Sequence, residues 1–207
     1  MNYLVLIADI VSSRQILQRE QTQEDLRSVI QKLSKTNPNL VSPYTITLGD
    51  EFQAVFNRAD HVFSDAMELL SVLYPVKIRF SFGVGSILTQ INHEQALGMD
   101  GPAFYHARNG IERLKGTNYL FSLEGIDTPY STLIQESLHL VSYSFNSWNR
   151  TRLHTFRALF NQLDINTIAT ELHVTDKAIY KTISQGNLQN IFRLLSEITI
   201  LVNKELI

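Results

Sequence analysis

The chain of 207 residues contains no cysteine. This absence excludes disulfide bonds and thiolate metal sites, and it is compatible with a reducing compartment. Charged residues are also modest in number, at 18% of the chain beside 44% hydrophobic residues. Such a balance is typical of a globular protein and excludes a disordered or fibrous one. No internal repeat or low-complexity segment is present.

Long apolar runs are missing as well. The N-terminal run Tyr3–Ala8 has no basic leader before it and meets an acid, Asp9, after a few residues. A signal peptide or a membrane span needs a longer apolar stretch. We therefore expect a buried first strand, a cytoplasmic location and no membrane partner.

The net charge of −2 conceals an asymmetry between two parts of the chain. Residues 1–145 are acidic, whereas residues 146–207 hold seven Lys or Arg and five Asp or Glu. The net charge changes sign near the start of the part of the chain whose sequence pattern is mostly helical. This change predicts two domains, and the weakly basic second part is compatible with nucleic-acid contact without requiring it.

Hydrophobic periodicity predicts the order β-α-β-β-α-β-α-β for the first part. The predicted elements are strand 3–11, helix 21–34, hairpin 45–56, helix 57–73, strand 76–87, helix 102–114 and strand 118–123. The first six elements match the βαββαβ order of a ferredoxin-like or palm arrangement, so we expect an α+β fold. The predicted domains are residues 1–125 and 147–207, joined by a linker or connecting helix at 126–146.

Two acidic positions interrupt the apolar strands. The hairpin carries Asp50-Glu51 at its tip, and Asp9 lies inside the first strand. In a βαββ arrangement that strand and the hairpin are neighbours, so Asp9 and Asp50 are expected to converge, with Glu51 beside them. A buried acid without a partner is costly, which favours pairing or metal binding at Asp9. The alternative is a solvated turn, since turns favour Asp.

Hard divalent cations prefer oxygen ligands, and Mg²⁺ uses one or two carboxylates together with water and substrate phosphates. Two such ions can activate an attacking hydroxyl group and stabilise a leaving pyrophosphate. The acidic pattern therefore predicts a site for Mg²⁺ (or Mn²⁺) and a phosphate-bearing ligand.

Short motifs resemble the catalytic core of class III nucleotidyl cyclases and diguanylate cyclases. They are Ala8-Asp9-Ile10-Val11, Leu48-Gly49-Asp50-Glu51-Phe52, Phe82-Gly83-Val84-Gly85 and the helix start Gly101-Pro102-Ala103-Phe104-Tyr105-His106-Ala107-Arg108. The last is similar to the cyclase pattern Gly-Pro-Ala-Val-Asn-x-Ala-x-Arg. The cyclase-like part covers about residues 3–123, and the whole chain with its helical tail resembles the SatD family of bacterial proteins.

This resemblance implies that Asp9, Asp50 and the backbone carbonyl of Ile10 are metal ligands, and that Glu51 is a further acid with a catalytic role. It also implies a purine nucleotide as ligand, and the residues expected to contact it are Gly49, Tyr105, His106 and Arg108. For His106 and Arg108 the residue pattern alone leaves open whether they meet an anion or simply lie at the surface. The Gly83-x-Gly85 pattern likewise leaves open an approach to phosphate or, more simply, a bulge or tight strand end.

The sequence departs from the cyclase pattern at the positions that carry out catalysis in cyclases. Tyr105 stands where cyclases have a catalytic Asn, and Asn109 stands where they have an Arg that stabilises the transition state. Arg108, a candidate catalytic residue, is one position away, or about 100° around a helix. Leu48 replaces the first glycine of the Gly-Gly-Asp-Glu-Phe signature. Losing a charge-stabilising donor costs several kcal/mol of barrier, so these changes are compatible with metal and nucleotide binding and put ordinary cyclization in doubt.

The tail has the pattern of a helix-turn-helix. Ile168, Ala169 and Leu172 are expected to pack the first helix, Val174 to fill the turn, and Ile179 and Ile183 to face inward from the second helix. Thr175 is the expected N-cap, and His173 replaces the usual turn glycine, which requires a positive φ. The residues left for DNA contact are Thr175, Lys177, Ala178, Tyr180 and Lys181. The alternative is a helical bundle for packing or dimerization, in which 188–207 forms a dimer seam or covers the core of the tail.

Three functions remain open at this point. The first is a nucleotide-sensing regulator that binds duplex DNA as a homodimer, with a degenerate or altered catalytic centre. The second is an active Mg²⁺-dependent nucleotidyl cyclase or nucleotidyltransferase whose tail only dimerizes it. The third is a protein-interaction scaffold in which neither site functions.

Overall fold

The computed structural model describes residues 1–127 and 129–206. The α+β class expected from the sequence is confirmed. The first part contains β1 (Tyr3–Ile10), a 3-10 turn (Ser13–Gln15), α1 (Arg19–Thr36), β2 (Leu40–Leu48), β3 (Glu51–Phe56), α2 (Val62–Val72), β4 (Ile78–Gly85), α3 (Pro102–Leu114) and β5 (Phe121–Glu124). The second part contains α4 (Ser131–Asn146), α5 (Arg150–Phe160), α6 (Ile165–Glu171), α7 (Asp176–Gln185) and α8 (Leu188–Glu205).

The five strands form one sheet in the order β2-β3-β1-β4-β5. β1 is central and antiparallel to both β3 and β4, while β5 joins β4 in parallel. Because successive strand residues point to opposite faces, β1 contributes to two cores. Leu4 and Leu6 belong to the core shared with α1 and α2, whereas Val5 and Ile7 pack under α3. Burial on both faces explains why β1 reads as a continuous apolar run.

Close packing of α3 on β4 explains the glycine pattern of that strand. A Cβ atom at Gly83 would overlap the backbone of Ala103 and Ala107, and one at Gly85 would crowd Pro102 and Ala103. The pairing of β4 with β1 is regular through both glycines. Of the two simpler readings expected for these glycines, a bulge is absent from the pairing with β1, whereas Gly85 does lie at the end of β4. Both glycines allow the close approach of α3.

The helical tail packs on the first part through one continuous core. Phe121 of β5, Phe145 of α4 and Phe156 of α5 form successive edge-to-face contacts, and all belong to the main core cluster. The segment expected as a linker is largely α4, which packs beside β5 and whose Ser142 hydroxyl accepts a hydrogen bond from the backbone N–H of Leu120 at 3.0 Å. The division into domains at 125 and 147 stays a prediction.

Polar contacts also join the two parts. Glu68 of α2 pairs with Lys32 of α1 at 2.8 Å and with Arg157 of α5 at 3.5 Å. Near the end of α8, the Asn203 side chain accepts a hydrogen bond from the Ala59 N–H at 2.7 Å and donates one to Asp60 at 2.6 Å. These contacts tie the tail to both ends of α2. In the part of the chain that the structure describes, no helix is long and apolar enough to cross a bilayer.

Candidate functional site

The acidic hairpin turns at Gly49, whose φ of 56° lies in the left-handed region that glycine adopts without strain. β3 begins immediately afterwards, and its register places Glu51 opposite Asp9 of β1. On its other side Asp9 faces Arg79 of β4. Paired residues of neighbouring strands share a face. Glu51, Asp9 and Arg79 therefore form a row of charges across three strands, on the α3 side of the sheet.

Asp9 and Glu51 are both buried at this end of the sheet, each with 8% of its surface exposed. Burial raises the pKa of the Asp9 carboxyl group, and the Arg79 guanidinium, which donates a hydrogen bond at 3.3 Å, offsets this only in part. The negative charge of Asp50 raises the pKa further, while Lys115 lowers it. Asp9 is therefore a buried acid whose desolvation the nearby cations do not fully compensate.

Asp50 is held against the end of β1. Its backbone carbonyl accepts a hydrogen bond from the N–H of Ile10 at 3.1 Å, and its carboxylate accepts one from the Ser13 hydroxyl. Ser13 begins the 3-10 turn that follows β1. The hairpin tip and the β1–α1 connection therefore form one hydrogen-bonded unit around Asp50.

Glu51 and Arg108, the two residues expected to be catalytic, bind each other. The guanidinium of Arg108 donates two hydrogen bonds to the Glu51 carboxylate, at 2.6 and 2.8 Å, and the Thr47 hydroxyl donates a third at 3.1 Å. Burial alone raises the pKa of Glu51, but these donors outweigh it and leave the pKa lowered. The two side chains therefore engage each other, while Arg108, which is 43% exposed, keeps its remaining guanidinium N–H groups for other acceptors.

A metal at this end would have few protein ligands. Within residues 1–127 and 129–206, no three His, Asp or Glu side chains come close enough to hold an ion together. Asp9, Asp50 and the carbonyl of Ile10 offer two carboxylates and one backbone oxygen, which matches the small ligand number typical of Mg²⁺ bound with substrate phosphates. The buried and incompletely compensated Asp9 also fits a cation. The residues present therefore fit Mg²⁺ or Mn²⁺ in company with a phosphate ligand.

The other residues expected to contact nucleotide are divided between two places. Gly49 is exposed at the hairpin tip. Tyr105 and His106 lie near the start of α3, where Tyr105 donates to Asp100 at 2.6 Å and the His106 ring bonds the Val84 carbonyl at 2.7 Å. Val84 is five residues along β4 from Arg79, about 17 Å in a strand. Among the expected contacts on α3, Arg108 reaches the acidic end through its long side chain.

Sequence reasoning missed the partners of the acids. Arg79, Ser13 and Thr47 each bond one of the three carboxylates. The one available signal was the position of Arg79 inside an alternating strand. Register is needed to connect it with Asp9, and the sequence does not provide that register.

In the tail, α6 and α7 are separated by the short turn at 172–175. The Thr175 side chain accepts from the N–H of Ala178 at 3.3 Å, which confirms the predicted N-cap. The φ of His173 is 53°, so the predicted positive φ is confirmed as well. Four of the expected inward residues are buried, namely Ile168, Ala169, Ile179 and Ile183. The fifth, Leu172, is half-buried and packs against the same core.

The exposed side of α7 carries most of the residues expected to contact DNA. Thr175, Lys177, Tyr180 and Lys181 are exposed, and Ala178 is half-buried. Val174, expected to fill the turn, is instead 37% exposed, so that prediction was wrong. α8 covers the core of the tail through a buried stripe that includes Leu188, Leu195 and Ile198.

The family follows from comparison with known proteins. No curated protein matches the chain. A profile of the SatD family matches residues 3–194, which include the acidic hairpin, the sheet and nearly all of the helical tail. Since the match spans most of the chain, this protein belongs to the SatD family.

Proposed function

We propose that this protein is a nucleotide-binding regulator that holds a purine nucleotide with Mg²⁺ at the acidic end of its sheet and binds duplex DNA through its tail. The observation that carries this proposal is that the hairpin tip places Asp50 beside the end of β1, where its carbonyl accepts a hydrogen bond from Ile10, the residue that follows the buried Asp9. A buried carboxylate next to a second one, with one partly compensating arginine, favours an added cation.

The strand order supports a cyclase-type palm of the ferredoxin-like kind. The first four strands lie in the order β2-β3-β1-β4 with antiparallel neighbours, and helices α1 and α2 share the core on one face. This is the arrangement that a βαββαβ unit forms. In it, the motif around Asp9 and the motif around Asp50 become neighbours.

Asp9, Asp50 and the Ile10 carbonyl would hold the metal, which would neutralise the charge of the nucleotide phosphates. The exposed Gly49 leaves space for a ligand beside the hairpin tip, since no atom lies within 4 Å of a Cβ built there. The pairing of Glu51 with Arg108 favours binding over catalysis, because an interaction that is already made in the ground state does not by itself lower the barrier. We therefore propose a sensor and not a cyclase.

The tail supports the second half of the proposal. A capped α7 that presents Lys177, Tyr180 and Lys181 to solvent after a tight turn has the form of a recognition helix. One such helix with few cations binds DNA weakly and with strong salt dependence. We therefore propose a cytoplasmic homodimer that places two tails on one duplex.

Calorimetric titration of GTP and ATP, each with Mg²⁺ and with EDTA, tests the nucleotide site. We expect binding to the parent protein in Mg²⁺, and a loss of at least about tenfold in affinity in EDTA or in Asp50→Asn. Asp127→Asn, at an exposed position outside the site, is the matched control and should bind as the parent does. Equal binding under all conditions would overturn the metal site.

Incubation with GTP or ATP, followed by chromatography of the products, separates a sensor from an enzyme. We expect the nucleotide to be recovered unchanged. A cyclic or pyrophosphate-releasing reaction that Asp50→Asn abolishes would replace the sensor with the enzyme.

A further inference from the structure

One helix of the second part is apolar on the side that faces solvent as well as on the side that faces the core. α4 buries Leu138 and Val141 in the main core. Its other side exposes Leu133, Leu140 and Tyr143, with relative exposures of 65%, 69% and 78%. A helix that only covers a core carries polar residues on its outer face. The outer face of α4 therefore has the composition of a surface that another molecule covers.

The exposed apolar residues of α4 form one continuous stripe. Leu133, Leu140 and Tyr143 are spaced at i, i+7 and i+10, which places them along the same side of a helix. Glu136 lies in the same stripe, and its side chain is 67% exposed. Since α4 contains no Lys or Arg, the stripe is apolar with a single negative charge.

A cavity of about 240 Å³ lies beside this stripe, between α4 and α8. Leu140 and Leu194 line it from the two helices, and Asn187 and Asn190 give it a polar edge at the start of α8. Asn190 donates a hydrogen bond to the Asn187 side chain at 2.7 Å, which fixes that edge. An apolar cavity with a polar edge suits one aromatic side chain with a polar tip, such as tyrosine. Tyr143 itself is such a side chain and projects from the adjoining stripe.

The stripe and the cavity together form a surface that we call the α4–α8 patch, and its two sides differ in charge. The α4 side carries Glu136. On the α8 side Arg193 is exposed, and among the described residues no carboxylate pairs with it. A two-fold axis through the patch exchanges its α4 and α8 sides. The rotation brings Glu136 of one copy towards Arg193 of the other, so the patch is complementary in charge to itself.

We propose that the α4–α8 patch is the interface with a second copy of this chain, in which Tyr143 of each copy enters the cavity of the other and Glu136 faces Arg193. This inference deepens the homodimer of the proposed function and rests on it. Gly186 lines the cavity and directly follows α7. An interface at this place therefore fixes the distance between the two α7 helices, as the binding of two half-sites on one duplex requires.

Sedimentation velocity of the full chain, without nucleotide or DNA, tests the interface. We expect the parent protein to form dimers. Leu140→Glu introduces a carboxylate into the interface once per copy and should weaken dimerization by about a hundredfold or more. Leu88→Glu is the matched control, because Leu88 is 73% exposed and lies outside the patch. The control should dimerize as the parent does, and both variants should keep its thermal midpoint, since both positions are exposed.

Charge reversal tests the orientation of the two copies. Glu136→Arg and Arg193→Glu should each weaken dimerization by about fivefold or more, because each places like charges opposite one another. The combined variant restores opposite charges and should return to within about threefold of the parent. A general loss of stability or solubility would not be repaired by the second reversal. Tyr143→Ala empties the cavity and should weaken dimerization by about tenfold.

The possible outcomes separate this interface from the homodimer on which it rests. A Leu140→Glu variant whose dimer Kd stays within about threefold of the parent value would overturn the α4–α8 interface and leave a homodimer formed elsewhere. A parent protein that stays monomeric at about 100 μM would leave this face to a different partner and overturn the homodimer as well. Single charge reversals that the combination fails to repair would overturn the pairing of Glu136 with Arg193.

Discussion

Arg108 of α3 holds Glu51 of β3 through two hydrogen bonds of 2.6 and 2.8 Å, although the two residues are 57 positions apart in the chain. Glu51 is buried, while 43% of the Arg108 side chain is exposed. The pair fastens α3 to the strand that begins at the acidic hairpin. The two residues predicted to be catalytic, Glu51 and Arg108, therefore form a structural contact with each other.

Removing Arg108 should therefore leave a buried, unpaired carboxylate. We expect Arg108→Gln to lower the free energy of unfolding by about 1–3 kcal/mol, measured by urea denaturation. Arg113→Gln is the matched control, because Arg113 also pairs with a glutamate but is 66% exposed. That control should cost less than about 1 kcal/mol. In a double-mutant cycle with Glu51→Gln, additive effects would contradict the coupling.

Asp65 of α2 gives a pH-dependent prediction. Burial raises the pKa of its carboxyl group to about 6, although hydrogen bonds from Asn37 and Tyr44 partly oppose this. The folded state then holds the proton at higher pH than the unfolded state, so stability is highest below the ordinary pKa and falls as pH rises to about 6. Between the ordinary pKa of an aspartate and a pH of about 6, the free energy of unfolding therefore falls by about 3 kcal/mol.

Asp65→Asn cannot ionise, so its unfolding free energy should lack this fall between pH 4 and pH 6.5. The variant loses part of the hydrogen bonding to Tyr44 and Asn37, which should lower its stability at pH 4. Asp127→Asn, at an exposed position, should keep the pH profile of the parent. If the unfolding free energy of Asp65→Asn falls with pH as that of the parent does, Asp65 is not the group responsible.

Gly83 gives a steric prediction. A methyl group there would overlap the backbone of α3 at Ala103 and Ala107, so Gly83→Ala should destabilise the protein by about 3 kcal/mol or more. Gly116→Ala is a useful comparison, since Gly116 has a φ of 81° and open space around it. Its cost should be about 1 kcal/mol, from backbone strain alone. Similar thermal midpoints for the two variants would refute the close packing of α3 on β4.

The proposed DNA contact predicts a change in salt dependence. Lys177→Ala combined with Lys181→Ala should weaken duplex binding and reduce the slope of log affinity against log salt by up to about 2, because each lysine that neutralises a phosphate contributes about 0.9. Lys35→Ala combined with Lys204→Ala removes two exposed lysines elsewhere and should leave the slope unchanged. Electrophoretic mobility shifts over a salt series measure both. An unchanged slope in the first variant would argue against α7 as the contact.

Local patterns in the chain were sufficient for most of the elements. The helix predicted at 102–114 has the observed bounds Pro102–Leu114, because Gly101 and Pro102 mark its start by backbone chemistry alone. The cap at Thr175 and the positive φ at His173 were also readable, since both depend on a few neighbouring residues. In contrast, α2 was predicted from residue 57 but begins at Val62. Asn203, far along the chain, hydrogen-bonds Ala59 and Asp60 in the segment just before it.

The candidate site shows the same division. The order of strands predicted that Asp9 and Asp50 would lie near each other, and in the structure the Asp50 carbonyl accepts a hydrogen bond from Ile10, the residue after Asp9. Strand order did not predict that Arg79 pairs with Asp9 or that Arg108 binds Glu51. It also did not predict that Tyr105 and His106 lie at the other end of β4. The reach and direction of a long side chain depend on how a helix is placed over a sheet, and periodicity does not encode that placement.

For this protein, then, the alternation of apolar residues was enough to establish the strands, the helices and the acidic tip of the hairpin, because each depends on contacts within a few residues. The pairing of the acids with arginines, and the hydrogen bonds of Asn203 with Ala59 and Asp60, arose only when distant segments packed together. Those contacts depend on sheet register and on the docking of the tail, which join residues that are far apart in the chain.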